Sequence, residues 1–162
     1  MTAHSDRIRA LVAHEPPVVS LLPDREATTA EFDAVYDTYR THGAWPAMQR
    51  FLTATGIAPA GTHDAPAPEQ AAGFAATAET FLSHMLPTTR YKPDIAALSA
   101  TPTRIIVAAG AASKGELANR TAVALTEALA TDIVEFPGGH TGFITFPDSC
   151  ARQLTSLIGD AT

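Results

Sequence analysis

Cysteine is almost missing from this sequence. Cys150 stands alone and cannot close an internal disulfide, so the thiol content asks for no oxidising compartment and a cytoplasmic setting is expected. Basic residues are also few: 11 Lys and Arg against 17 Asp and Glu give a net charge of −6 and an isoelectric point near 5.4. Those cations are scattered rather than clustered, which argues against nucleic acid as a partner, because phosphate binding needs a basic patch. No apolar run approaches the roughly 18 residues that a membrane span requires. Met1 to Arg9 contains His4, Asp6, Arg7 and Arg9 and no apolar export segment, so neither membrane insertion nor a visible signal is expected. His14, His42, His63 and His84 show no H-x-x-H or H-E-x-x-H spacing, and a lone thiol cannot complete a thiolate site, so no metal is expected. Neither a G-x-G-x-x-G nor a Walker pattern surrounds Gly138-Gly139, and no nucleotide or other cofactor is expected. Internal repeats are absent, and the one compositionally biased stretch is the Ala/Pro region near 57 to 72.

What is present is an Ala-rich globular composition, 46% hydrophobic and 17% charged over 162 residues, enough for one domain with a sizeable core. Residues 7–14 carry an apolar centre that stops at Glu15-Pro16-Pro17, and read as a buried strand ending in a loop. From Thr28 the period changes. Phe32, Val35, Tyr36 and Tyr39 fall at helical spacing behind a capping box at Thr28 and Glu31, with Gly43 at the end. A second helix is predicted from Trp45 or Pro46 to Thr55, and a third over Glu69 to Leu86, with Phe74, Phe81, Leu82 and Met85 as apolar contributors and Pro87 as the stop. Ile57 to Pro68 is predicted as a loop. Residues 103–110 have the continuous β-branched character of a strand covered on both faces. A helix follows over 116–130, with Leu117, Arg120, Ala124, Leu125, Ala128 and Leu129 as its packing stripe, then a strand over 131–137. Strand, helix and strand in this order imply a right-handed parallel βαβ unit. A terminal helix over 148–158 buries Cys150, Leu154, Leu157 and Ile158.

The motif that carries chemistry is Val134-Glu135-Phe136-Pro137-Gly138-Gly139-His140-Thr141-Gly142-Phe143, a strand, a Gly-Gly-His turn and then a terminal helix. Glycines let the backbone leave the strand sharply, so that an imidazole can lie over the carboxyl edge of the sheet, where open α/β folds bind ligands. This arrangement resembles the way α/β-hydrolases present their catalytic histidine. The resemblance implies a partial α/β-hydrolase fold running from the sixth strand of that family, at 7–14, through a helical cap at 24–92, to the seventh strand at 103–110 and the histidine strand at 131–137. On this reading residues 1–162 form one partial domain, with about three parallel strands and flanking helices.

The resemblance also implies roles. His140 becomes the general base. Many members place an aspartate after the seventh strand, but here that loop reads Gly110-Ala111-Ala112-Ser113-Lys114-Gly115. Others, haloalkane dehalogenases among them, take the acid from just after the sixth strand, and Glu15 stands there. Asp94 and Glu116 are fallback acids, although a carboxylate in the first turn of a helix is explained by the helix dipole alone. The plain alternatives are that His140 caps or fills its turn and that Glu15 caps its loop or pairs with an arginine. Trp45, Phe51, Phe74 and Phe81 either line an acyl pocket or pack helix on helix.

The family's nucleophile elbow is G-x-S-x-G. None of Ser5, Ser20, Ser83, Ser99, Ser113, Ser149 and Ser156 has glycine at both −2 and +2, and the first five strands of the family, with one oxyanion donor, have no counterpart in these residues. The expected function is therefore an ester- or acyl-type hydrolase fold that carries base and acid without the nucleophile and is inactive alone. Completed by an amino-terminal half, it would take a small ester-like substrate. The alternative is a binding or assembly module, a homodimer or half of a split hydrolase, joined through the unpaired Arg7 to His14 strand edge.

Overall fold

A computed structural model describes residues 7–57 and 67–159. Most of the loop predicted over 57–68, with His63, lies outside them, as do Met1 to Asp6 and the side chains of Met85 and Pro87. Among the described residues the chain is α/β. Three parallel strands form one sheet in the order β1-β2-β3, flanked by helices.

β1 (Ala10–His14) enters first, and a short 3-10 turn at Val19–Leu21 leads into a helical block. That block is α1 (Arg25–His42), α2 (Ala44–Thr55) and α3 (Pro68–Thr89), inserted between β1 and β2. The small helix α4 (Ile95–Ser99) precedes β2 (Arg104–Gly110), after which come α5 (Leu117–Leu129), β3 (Ile133–Phe136), α6 (Gly142–Thr145) and α7 (Pro147–Gly159). All three strands start later than their sequence patterns predict, although contact between the chains continues beyond them: the Arg9 carbonyl accepts the Arg104 amide at 2.9 Å and the Ile8 carbonyl the Thr103 hydroxyl at 2.8 Å.

The predicted start of α1 is corrected. The helix begins at Arg25 behind Asp24, directly after Pro23, so Thr28 is already inside it and the Thr28/Glu31 box does not cap it. Glu31 instead pairs with Arg50 of α2 through both carboxylate oxygens, at 2.7 and 3.1 Å. Helix α3 likewise continues two residues past Pro87, to Thr89. A proline removes one amide donor and crowds the turn before it, which the last turn of a helix tolerates better than its middle. Asp94 caps α4, accepting the Ala97 amide at 3.0 Å, and so has a structural task.

Alternation along β2 sends its residues to two cores. Val107 and Ala109 pack with Val18, Ala122 and Leu125 under α5, while Ala108 packs with Phe136 and Cys150 under α7. A third cluster, of Leu22, Phe32, Val35, Ala47, Leu82 and Leu117, ties the helical block to the start of α5. The packing stripe of α5 differs from the predicted one at Ala128, which is exposed, while Thr121, Ala122 and Thr126 are buried. The parallel register aligns His14 with Ala108 and Gly110 with Phe136, so the carboxyl ends of all three strands meet at one edge. That edge holds the site.

Candidate active site

Glu15 is the first residue beyond β1 and has a left-handed backbone, φ +44°, which costs a non-glycine residue about 1–3 kcal/mol. Its amide donates to the Ala108 carbonyl at 2.9 Å, anchoring the turn to β2. The side chain is fully buried, and every oxygen has partners. Oε1 accepts the Gly110 amide at 3.0 Å and the Ser113 hydroxyl, and Oε2 faces Nδ1 of His140 at 2.7 Å. A buried carboxylate is tolerable only when it is paired and hydrogen-bonded in this way.

His140 is brought to Glu15 by the loop after β3, and two glycines make that approach fit. Gly138 has φ +81°, a conformation that a side chain strains. Gly110, at the end of β2, lies so close under the loop that a Cβ there would stand 2.4 Å from the Gly139 carbonyl oxygen. By contrast, a Cβ on Gly139 would meet nothing within 4 Å. Of the two adjacent glycines, only the first is needed for its conformation; the second matters for how near its backbone passes to Gly110. The loop is further tied down by the Ala111 amide on the Phe136 carbonyl and the Ala112 amide on the Gly138 carbonyl, both at 2.9 Å.

The electrostatics follow from this geometry. Burial pushes the Glu15 carboxyl up, but the bonds from His140, Ser113 and the Gly110 amide outweigh it and hold the carboxyl below its usual range. The Glu15 hydrogen bond raises His140 above an ordinary histidine against the opposing effect of its own burial. With Nδ1 committed to the carboxylate, Nε2 is the nitrogen left for proton transfer, and the His140 side chain is 38% exposed. Glu116, just before α5, is raised by burial and by the Glu15 charge; it senses the pair but is not its partner.

Sequence spacing gave no reason to place His14 in the site, but the end of β1 puts its ring 6.4 Å from that of His140, edge-on to Phe136 at 5.6 Å. Burial, and secondarily the neighbouring imidazole, lower its pKa. His14, Glu15 and His140 offer ligand atoms all within 4.8 Å of one another, the set a metal would need. Three donors already occupy the carboxylate, and the 2.7 Å contact between Nδ1 and Oε2 is that of a charge-assisted hydrogen bond, so hydrogen bonding accounts for the approach of Glu15 and His140.

A cavity of about 460 Å³ opens beside the pair, lined by Glu15, His140, Phe32, Phe51, Phe81 and Leu117 among others. Threonines in its wall spend their protons on their own helices: Thr55 on the Phe51 carbonyl, Thr80 on Ala76, Thr88 on His84 and Thr121 on Ala118. The hydroxyl protons of these four are therefore already engaged. The four aromatic residues differ in what they meet. Phe51 and Phe81 line the cavity and stack edge-on at 4.9 Å, whereas Trp45 and Phe74 pack on each other at 5.6 Å between α2 and α3.

Ser113, like His14, has no spacing pattern that points to the site; its one signal is its place in the loop after β2, where many members of the resembling family carry an aspartate. The other two histidines among the described residues are not bonded to the pair: His42 meets the Thr41 hydroxyl at 2.7 Å, and His84 lines the cavity with Nδ1 at 2.6 Å from the Thr80 carbonyl.

Over 60 residues, 37% of its length, the chain is 37% identical to a protein named uncharacterized hydrolase YraK from Bacillus subtilis (strain 168). That stretch is 22% of the relative, so the match spans under a quarter of it. No family model matches the chain. No solved structure matches it either. The likeness to a hydrolase-named protein agrees with a hydrolase-like family.

Proposed function

We propose that this chain is an α/β-hydrolase-like protein whose His140–Glu15 pair is the base and orienting acid of an ester- or acyl-type hydrolytic site. The observation that carries the reading is the 2.7 Å contact between Nδ1 and a fully buried carboxylate at the mouth of an apolar cavity. A carboxylate so held fixes the imidazole tautomer and stabilises the imidazolium formed when Nε2 accepts a proton. The helical block between β1 and β2 acts as a cap over that cavity, and a small ester-like molecule is the substrate class.

The serine that the fold brings to the pair is no nucleophile. Ser113 is fully buried and donates to Glu15 rather than facing Nε2. With no glycine-flanked serine in the sequence, the attacking group comes from another segment or chain, and the 162 residues alone are expected to bind an activated short ester without appreciable turnover. The test is an ester assay across pH 6 to 9 for the wild type and His140→Ala, with the His140 ring resonances followed as ester is added. Ester-dependent shifts without turnover support the reading. Robust turnover lost in the variant refutes the missing nucleophile, and turnover unchanged in the variant refutes the role of His140.

A second reading, an assembly module, is favoured by the sheet itself. Among the described residues β1 pairs only with β2, and next to His140 lie Phe143 and Ile144, 57% and 71% exposed. An open strand edge, and separately an exposed apolar patch after β3, each suit pairing with a second copy or with a complementary chain that supplies the nucleophile. Light scattering that finds single copies at every concentration removes the homodimer.

A further inference from the structure

Ser113 has the geometry to decide how the carboxylate meets the imidazole. It sits in the turn after β2, fully buried, with its amide donating to the Gly110 carbonyl at 3.2 Å and its hydroxyl in reach of both that carbonyl, at 2.8 Å, and Oε1 of Glu15. A hydroxyl has one proton to give. The Gly110 carbonyl already receives the Ser113 amide, whereas the buried carboxylate is charged and its bonds are the stronger ones, so the proton belongs on Oε1. Together with the Gly110 amide at 3.0 Å, that bond clamps one carboxylate oxygen and leaves the other aimed at Nδ1. The Gly110 amide is the one backbone donor on the side chain of Glu15, so the Ser113 hydroxyl is the second hold on Oε1.

We infer that Ser113 is a positioning residue of this site: its hydroxyl clamps Oε1 of Glu15, fixing the carboxylate rotamer that holds His140 as the Nδ1–H tautomer with Nε2 toward the cavity. The inference rests on the reading of His140 and Glu15 as a working pair. It assigns a task to the loop that lacks the family's aspartate: the loop supplies the donor that locks an acid drawn from the neighbouring strand.

The test is nitrogen-detected NMR of the histidine-labelled full chain, which reads the His140 tautomer and the exchange rate of its Nδ1 proton with water. In the wild type the proton is expected on Nδ1 and slow to exchange. Ser113→Ala should speed that exchange about tenfold, the factor that follows from losing one hydrogen bond to a charged group. Ser113→Thr keeps the hydroxyl and should restore the slow exchange. Ser113→Cys fills the same space with a weak donor and should behave like the alanine variant, which separates hydrogen bonding from packing should the threonine variant fail to fold. Wild-type exchange in the alanine or cysteine variant, while Glu15→Gln abolishes the Nδ1–H signal, overturns the role of Ser113 and leaves the pair standing. An unchanged signal in Glu15→Gln as well overturns the pair itself.

Discussion

Glu15→Gln is the sharpest perturbation of this site, because it keeps the shape of the side chain and removes only its charge and one acceptor. In the fold the carboxylate is fully buried and takes three donors, from the Gly110 amide, Ser113 and His140. The glutamine carbonyl can still accept the first two. Its amide group then faces His140, which must turn to the Nε2–H tautomer and present Nδ1 as an acceptor. The imidazolium, with donors on both nitrogens, has no good arrangement. One charge-assisted hydrogen bond is lost, so a stability loss of about 1.5–3 kcal/mol is expected, read as a fall in Tm of about 2–4 °C for each kcal/mol. His140, raised by the Glu15 bond in the wild type, should drop toward or below the ordinary 6.5.

The pH dependence has a definite sign. Stability from the raised His140 is complete below 6.5 and is lost as pH climbs through its higher folded pKa. Stability from the depressed Glu15 is complete above 4.5 and is lost as pH falls through its lower folded pKa. The pair thus stabilises most between those limits, and Glu15→Gln should lower that plateau and weaken the falls on either side of it. His14 acts in the opposite sense to His140: its depressed pKa costs stability as pH falls through 6.5, in wild type and variant alike. Thermal unfolding from pH 4 to 8, with His140 followed by NMR titration, measures all of this. A His140 titration identical in the two proteins would refute the reasoning.

Two further outcomes follow from packing. Gly110→Ala places a Cβ 2.4 Å from the Gly139 carbonyl, a backbone group that cannot swing aside, so a loss of about 1–3 kcal/mol is expected together with a weakened His140–Glu15 contact; a variant with wild-type Tm and an unchanged His140 titration contradicts it. Ile144→Lys charges the most exposed large apolar residue among those described, 71% accessible, and should abolish any concentration-dependent self-association seen by light scattering while leaving Tm nearly unchanged; association that survives the change places the interface elsewhere.

Local pattern was enough to find nearly every element. The continuous apolar run of β2, the helical periods of α1 and α5 and the turn at Gly138 are properties of neighbouring residues, and neighbours are what a sequence displays. The pairing of Glu15 with His140 was foreseen only through a family resemblance, since 125 residues separate them and no spacing rule links them. Element boundaries were less legible. The start of α1 turned on which residue could first take helical geometry after Pro23, and Glu31 was drawn to Arg50 on another helix instead of to its own cap.

By itself, then, the sequence determined an α/β chain with a histidine turn at the carboxyl end of its last strand, because apolar period and glycine placement act over a few residues. Only the tertiary structure decided what that histidine meets. Parallel register brings His14, Gly110 and Phe136 to one edge; close approach there makes Gly110 indispensable where Gly139 is not; and desolvation of Glu15 recruits Ser113, 98 residues away, to satisfy an oxygen that water no longer reaches. Burial and hydrogen-bond satisfaction are properties of the assembled interior, and they appear in the chain only once it has folded.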